Sequence, residues 1–280
     1  MDDVLVTVPH HSGEVPLEIL ATMLGPMRFD DHARRNLLER IRREGDPSSD
    51  RLFDLPGSRI VSATVSRFVA DLNRARDDRG TNGVVKRTDF AGRPLYPSPE
   101  LPSAVDVADR LVRFFDPFHA QLQREIRRRR PLLVVDAHTM TAAGPVLGPD
   151  AGRPRPAASL ITGGGTRGEP IDRPVSFPPE LTRDLARQLQ LALESRLPLG
   201  SSGLPAGVRI NDPFTHGFIQ ERYGADPDGP RVPTVAIEIH RGLFEDAEAN
   251  PNEGRIGLIR AAIVAALTAV RPQLERLARS

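Results

Sequence analysis

The chain contains no cysteine and no tryptophan, and aromatic residues make up only 5% of its 280 residues. The lack of cysteine excludes disulfide bonds and thiolate metal ligands, and it agrees with a reducing compartment. The formal net charge is only +1, so no overall field attracts nucleic acid or a membrane surface. Because aromatic side chains are few and no stacking motif is present, we expect no nucleic-acid partner.

Long apolar segments are also missing. The longest apolar region, residues 256–270, is interrupted by Arg260 and is shorter than the roughly 20 residues that a membrane-spanning helix needs. The first residues, MDDVLVTVPHH, contain neither a basic leader nor a cleavable apolar stretch. We therefore expect no signal peptide, no membrane partner and a cytoplasmic location.

One basic cluster stands out from this neutral background, because residues 127–130 are four consecutive arginines. They end a predicted helix, where cations complement the helix dipole. A nucleic-acid patch is the alternative interpretation, and the neutral overall charge disfavours it.

The hydrophobic pattern alternates between strands and helices. Strands are predicted at residues 4–8, 59–64, 132–136, 158–161 and 234–239, and helices at 17–23, 31–43, 105–130, 179–196 and 254–279. This alternation predicts an α/β layered fold, and the apolar runs LLVV and VAIEI are typical of interior strands. Two Pro/Gly-rich stretches, 144–174 and 197–213, are interpreted as long ordered loops, so we expect one domain over residues 1–280.

Polar residues concentrate where several predicted strands end, and in an open α/β sheet ligands bind beyond these carboxyl ends. Residues 6–16 are VTVPHHSGEVP, in which His11 and Glu14 have an H-x-x-E spacing. With His138, which leaves another strand, they would form the His₂Glu set of catalytic zinc sites. Asp136 lies on the same strand face as His138 and could accept the proton of its ring. The alternative is a pair of turn histidines and a solvated glutamate.

Glu238 lies inside the apolar segment VAIEIH, where a carboxylate needs a partner or a chemical role. One role is that of a general base beside a metal-bound water, and the alternative is a salt bridge, for example to Arg241. Asn73 and Arg74 follow the apolar segment FVADL. An arginine there could bind a substrate carboxylate through two hydrogen bonds, or it could be an ordinary surface residue.

These segments resemble the N-formylglutamate amidohydrolase family. The resemblance rests on VPHHSGEVP, SRFVADLNR (66–74), GRPLY (92–96), DPFHAQL (116–122), VVDAHTM (134–140), NDPFTHGFIQERYG (211–224) and VAIEIHRGLFED (235–246), which occur in the family's order. It implies a fold similar to zinc carboxypeptidases and aspartoacylase-type deacylases. Such a fold has three α/β/α layers around a central mixed sheet.

The resemblance also implies a zinc-assisted amide hydrolysis of a small N-acyl amino acid. One zinc ion would be held by His11, Glu14 and His138, and His10 is the competitor of His11. Glu238 would be the general base. Arg67 or Arg74 would stabilise the oxyanion, and Asn73 with Arg74 would hold a substrate carboxylate.

The sequence departs from the family where the substrate pocket is expected. Thr215 and His216 replace a lysine and a glycine, and Glu221 and Arg222 also occupy altered positions. We expect His216 and Arg222 to contact the substrate, and these changes put N-formylglutamate itself in doubt. A carboxypeptidase-like hydrolase of small peptides and a non-catalytic binding protein are the alternatives. The sequence does not predict the oligomeric state.

Overall fold

The computed structural model describes residues 1–99, 101–201 and 203–279. Six strands form a single sheet in the order β2-β1-β3-β6-β4-β5. Their bounds are β1 Val4–Val8, β2 Arg59–Ser62, β3 Leu133–Met140, β4 Ala158–Ile161, β5 Val208–Ile210 and β6 Thr234–His240. Strands β2, β1, β3 and β6 are mutually parallel, whereas β4 runs antiparallel to β6 and parallel to β5. The sheet is therefore mixed, as expected.

Eight helices surround this sheet in the described part of the chain. They are α1 Leu17–Leu24, α2 Asp31–Glu44, α3 Ser49–Leu52, α4 Ala104–Arg110, α5 Asp116–Arg129, α6 Pro179–Glu194, α7 Phe218–Gln220 and α8 Glu253–Arg279. None of these helices is long and apolar enough to cross a membrane.

The alternation of side chains along the strands divides the core into two layers. On one side, Val4, Val6 and Val8 of β1 belong to a buried cluster with residues of α6 and α8. On the other side, Leu5 of β1 packs with residues of α5. Since successive side chains of a strand point to opposite faces, this partition places helices over both faces of the sheet. The three-layer α/β/α architecture predicted from the sequence is confirmed.

The long helix predicted at 105–130 is interrupted by a wider π turn, Leu111–Phe115, between α4 and α5. Pro117 lies in the first turn of α5 and cannot donate a hydrogen bond to the preceding turn. A π turn before it accommodates that missing bond. Strand β5 and helix α3 were not predicted, because three or four residues carry too little periodicity.

Candidate metal centre

Three buried side chains from distant parts of the chain meet at the carboxyl end of β1 and β3. They are His10, which follows β1, Asp46, which follows α2, and His138 within β3. The Nδ1 atoms of the two histidines are 3.3 Å apart. Asp46 Oδ2 lies 3.4 Å from His10 Nδ1 and 2.8 Å from His138 Nδ1. The backbone N–H of Asp46 donates to the His10 carbonyl at 3.0 Å, which fixes the end of α2 against the end of β1.

The second nitrogen of each ring faces a carboxylate. His10 Nε2 lies 2.8 Å from Asp71 Oδ1, and His138 Nε2 lies 2.8 Å from Asp136 Oδ2. A carboxylate only accepts hydrogen bonds, so each Nε2 carries a proton, and Nδ1 presents a lone pair whenever its ring is neutral. Two lone pairs and a carboxylate oxygen then point at one place, and only a proton or a cation can satisfy them there.

The pKa values of these groups reflect the same arrangement. Burial opposes the charged form of His138, but the carboxylates of Asp136 and Asp46 raise its pKa well above the ordinary range. Burial also acts against ionisation of Asp46, whereas hydrogen bonds from His10 and His138 lower its pKa. The site therefore favours positive charge between the three donors.

Cations from the protein balance only part of the acidic charge around these donors. Asp71 Oδ2 forms ion pairs with Lys86 Nζ at 2.8 Å and with Arg67 Nη2 at 3.0 Å. Arg67 Nη1 also lies 3.5 Å from Asp46 Oδ1. Lys86 is fully buried, and burial lowers its pKa to about 7. Four carboxylates, those of Asp46, Asp71, Asp136 and Glu238, surround the two histidines, and this concentration of acidic groups favours a bound metal cation.

The donor set fits a divalent metal ion of the zinc type. Zinc–ligand bonds of about 2.0–2.1 Å in a tetrahedral arrangement separate the ligand atoms by about 3.3–3.4 Å. The three separations in this structure are 2.8, 3.3 and 3.4 Å. Each ring nitrogen away from the centre donates to a carboxylate, which is the usual outer support of histidine ligands. Nitrogen and oxygen donors with one carboxylate suit zinc chemically.

His11 and Glu14 lie apart from this cluster, unlike the expected ligand set. The chain bends at Pro9 and His10, which turns His10 inward and leaves His11 beside the main chain. His11 Nε2 lies 3.0 Å from the carbonyl of Ala63, and Glu14 is exposed. His138 occupies its expected place, and Asp136 supports it as expected. Within the described residues, the cluster therefore contains His10 and Asp46 where the sequence favoured His11 and Glu14.

Sequence reasoning missed Asp46 altogether. This aspartate follows Gly45 directly after α2, and its sequence distance from His10 matches no metal-binding spacing. Its only local signal is an acidic residue at the end of an amphipathic helix, which is usually solvated. The contact with His10 arises from tertiary packing.

Asn73 supports Asp136 and also borders the cavity beside the cluster. Its Nδ2 donates to Asp136 Oδ2 at 3.1 Å, and its Oδ1 accepts the backbone N–H of Ile219 at 2.8 Å. Gln220 donates to the same Asp136 oxygen at 2.6 Å. Both ends of the Asn73 amide are thus engaged in holding the carboxylate that orients His138.

A cavity of about 620 Å³ opens onto the three donors. Glu238, Arg67 and Arg74 contribute to its lining, and the exposed His216 does as well. Arg74 is partly buried and hydrogen-bonds only to main-chain carbonyls, with no acidic partner in the described part of the chain.

Arg222 does not fit the substrate contact expected for it. It forms an ion pair with Asp226 and lies outside the lining of this cavity. The π turn Glu221–Ala225 explains the difference, because it places the neighbouring Glu221 in the lining instead.

Glu238 in β6 stands beside His138 in the sheet, at paired positions of β6 and β3. Burial raises its pKa to about 7, and the nearby Asp46 adds to this effect. Its Oε2 is buried and has no hydrogen-bond partner among the described residues. The salt bridge to Arg241 considered as an alternative is not formed, since Arg241 pairs with Glu245 at 2.8 Å. A carboxylate of raised pKa therefore faces the candidate metal site, and no residue in the described part of the chain forms an ion pair with it.

Residues 2–245 match the family model described as N-formylglutamate amidohydrolase. The chain belongs to this family. It is 34% identical over 161 residues to an N-formylglutamate deformylase of Pseudomonas putida, an alignment covering 52% of this chain and 59% of that protein. A second N-formylglutamate deformylase, from Pseudomonas aeruginosa, is 32% identical over the same length. The chain thus spans 59% of the length of these curated relatives.

Two crystal structures show the same fold. The N-formylglutamate amidohydrolase from Ralstonia eutropha JMP134 aligns with a TM-score of 0.68 at 20% identity, over 98% of this chain and 94% of that one. A gene product from Agrobacterium tumefaciens aligns with a TM-score of 0.57 at 20% identity, over 96% and 92% of the two chains. At this identity the likeness concerns the fold, and it agrees with the α/β architecture of this chain.

Proposed function

We propose that this chain is a metal-dependent hydrolase that cleaves the amide bond of an N-acyl amino acid with a free carboxylate. The observation that carries the proposal is the convergence of His10, Asp46 and His138 beside the unpaired carboxylate of Glu238, at the base of a cavity. The names of the curated relatives support a formyl group as the acyl part and glutamate as the first amino acid to test.

In this proposal His10, Asp46 and His138 hold one zinc ion. When bound, zinc polarises the substrate carbonyl and lowers the pKa of a water molecule towards neutrality. The protein's own contribution is to turn both Nδ1 atoms towards the site of the ion, because Asp71 and Asp136 accept hydrogen bonds from the opposite ring nitrogens.

Glu238 is the proposed general base. Its carboxylate accepts a proton from the attacking water and returns it to the nitrogen of the departing amine. A pKa near 7 suits both halves of this exchange, since the group can take up and release a proton at neutral pH.

Arg74 is the proposed anchor for the substrate carboxylate. A guanidinium can form two parallel hydrogen bonds with a carboxylate, and Arg74 has no acidic partner among the described residues that would compete. Arg67 holds Asp71 and Asp46, and its further role in stabilising the oxyanion stays a prediction. Asn73 acts through Asp136, and contact of His216 with the substrate also stays a prediction.

The test uses the purified protein, stripped of metal with a chelator and then titrated with zinc. Release of the free amino acid is followed for N-formylglutamate, N-acetylglutamate and a glutamate-containing dipeptide. We expect zinc-dependent hydrolysis of at least one N-acyl amino acid. Hydrolysis of the dipeptide alone would favour a peptidase, and no hydrolysis of any amide with zinc bound would refute the proposal.

A further inference from the structure

The charges of the cavity lining bear on which amino acid the substrate contains. Three arginines line the cavity, Arg67, Arg74 and Arg155. The guanidinium of Arg67 forms ion pairs with Asp71 at 3.0 Å and with Asp46 at 3.5 Å. Both terminal nitrogens of Arg67 therefore have acidic partners, and only its buried Nε lacks a hydrogen-bond partner among the described residues.

Arg155 is even more completely engaged. Its Nε and Nη2 donate to the two oxygens of Asp150 at 2.8 and 2.9 Å, and its Nη1 donates to Thr141 Oγ1 at 3.1 Å. The ring of Phe214 covers the guanidinium, with its centroid 4.8 Å from the central carbon. Both side chains of the Arg155–Asp150 pair are almost fully buried. To bind Arg155, a second carboxylate of the substrate would have to displace Asp150 from this buried ion pair. Leaving the Asp150 carboxylate buried and unpaired would cost free energy.

Among the described residues of the lining other than these three arginines, we find no lysine or arginine that could pair with a second carboxylate of the substrate. The acidic side chains of Glu44, Asp78 and Glu221 face the same space, and Phe90 and Leu147 form an apolar wall. Apart from the proposed metal ligands His10 and His138, the lining contains one further histidine, His216, but it is exposed, where a charge interaction contributes little. Arg74 is thus the single arginine of the lining that lacks an acidic partner in the described residues.

We infer that the cavity selects an N-acyl amino acid with one carboxylate and an uncharged side chain. The α-carboxylate pairs with Arg74, and the side chain lies against Phe90, Leu147 and their neighbours. This inference rests on the proposed amide hydrolysis and adds the class of amino acid to it. A glutamate derivative would bring its γ-carboxylate into a lining that has no free partner for it.

The experiment compares N-formylglutamine with N-formylglutamate on the zinc-loaded protein, because the two molecules have almost the same shape and differ in one charge. N-formylleucine serves as a third, apolar substrate. We expect kcat/KM for N-formylglutamine and N-formylleucine to exceed that for N-formylglutamate by about tenfold or more, the scale of a charged group left without its hydrogen bond. Equal values, or a preference for N-formylglutamate, would overturn the inference while leaving the proposed hydrolysis intact.

Two variants sharpen the comparison. Arg74→Met should lower kcat/KM for all three substrates alike, because all three carry the α-carboxylate, and Arg79→Met provides the matched control at an exposed arginine outside the lining. A selective loss of N-formylglutamate hydrolysis in Arg74→Met would show that Arg74 binds the γ-carboxylate and would also overturn the inference. If no substrate is hydrolysed by the zinc-loaded protein, the proposed function itself fails.

Discussion

Replacing Asp46 by asparagine tests whether a metal ion binds where His10, Asp46 and His138 meet. Asp46 Oδ2 lies 2.8 and 3.4 Å from the two histidine nitrogens, so this substitution removes one of three donors while keeping the shape of the side chain. Glu14→Gln is the matched variant, because Glu14 is the exposed carboxylate that the sequence pattern favoured as a ligand.

The expected magnitude follows from the number of donors. Zinc sites with four protein ligands bind with about 10–16 kcal/mol, or roughly 2.5–4 kcal/mol for each ligand. Loss of one ligand should then weaken zinc binding by about 10²- to 10³-fold. We expect this loss for Asp46→Asn and an unchanged affinity for Glu14→Gln.

Competition between the protein and a chromophoric zinc chelator measures these affinities directly. Thermal unfolding in excess chelator is the control for folding, and Asp46→Asn should unfold close to the wild-type temperature. Its new amide can donate to His138 Nδ1, and Arg67 keeps its contact with Asp71. Equal weakening in both variants, or wild-type affinity in Asp46→Asn, would refute the assignment of Asp46 as a ligand.

Three further predictions concern the base, the anchor and a buried histidine. Glu238→Gln should retain zinc and lower kcat by about 10² or more, the usual scale for a general base, as measured by steady-state kinetics with metal analysis. Arg74→Lys should lower kcat/KM about tenfold, since lysine keeps the charge but lacks the planar fork. Burial lowers the pKa of His119 to about 4, so the unfolded chain alone takes up its proton between about pH 6.5 and 4. This proton uptake should remove about 3 kcal/mol of stability on acidification through that window, and His119→Phe should flatten the dependence in urea unfolding.

Each of these outcomes has a clear opposite. Unchanged turnover with bound zinc would exclude Glu238 as the base. Equal hydrolysis of amidated substrates that lack the α-carboxylate would exclude Arg74 as its anchor. An identical slope of stability against pH in wild type and His119→Phe would mean that burial does not hold the His119 ring neutral.

Periodicity along the chain was sufficient to predict most of the architecture. The strands β1 and β6 and the amphipathic helices α2 and α6 lie close to their predicted positions, whereas β3 continues to Met140 and α5 begins only at Asp116. Their signals are strong because each apolar face repeats over a whole element. The same reasoning placed a carboxylate, Glu238, inside a buried strand, and the structure confirms that it faces the cavity.

The ligand set could not be obtained in this way. His10 and His11 are adjacent, and only the bend at the end of β1 determines which of them turns inward. The roles of Arg74 and Arg155 were equally undetermined, since an arginine is free or engaged according to neighbours from other segments.

Most of the helices and strands, and the histidine and carboxylate groups near strand ends, could therefore be predicted from the order of residues. That Asp46 joins His10 and His138, and that Arg222 lies outside the cavity lining, follows from packing between distant segments. The physical reason is that hydrophobic periodicity is a local property repeated along an element. The direction of one side chain at an irregular bend depends instead on packing between residues far apart in the chain.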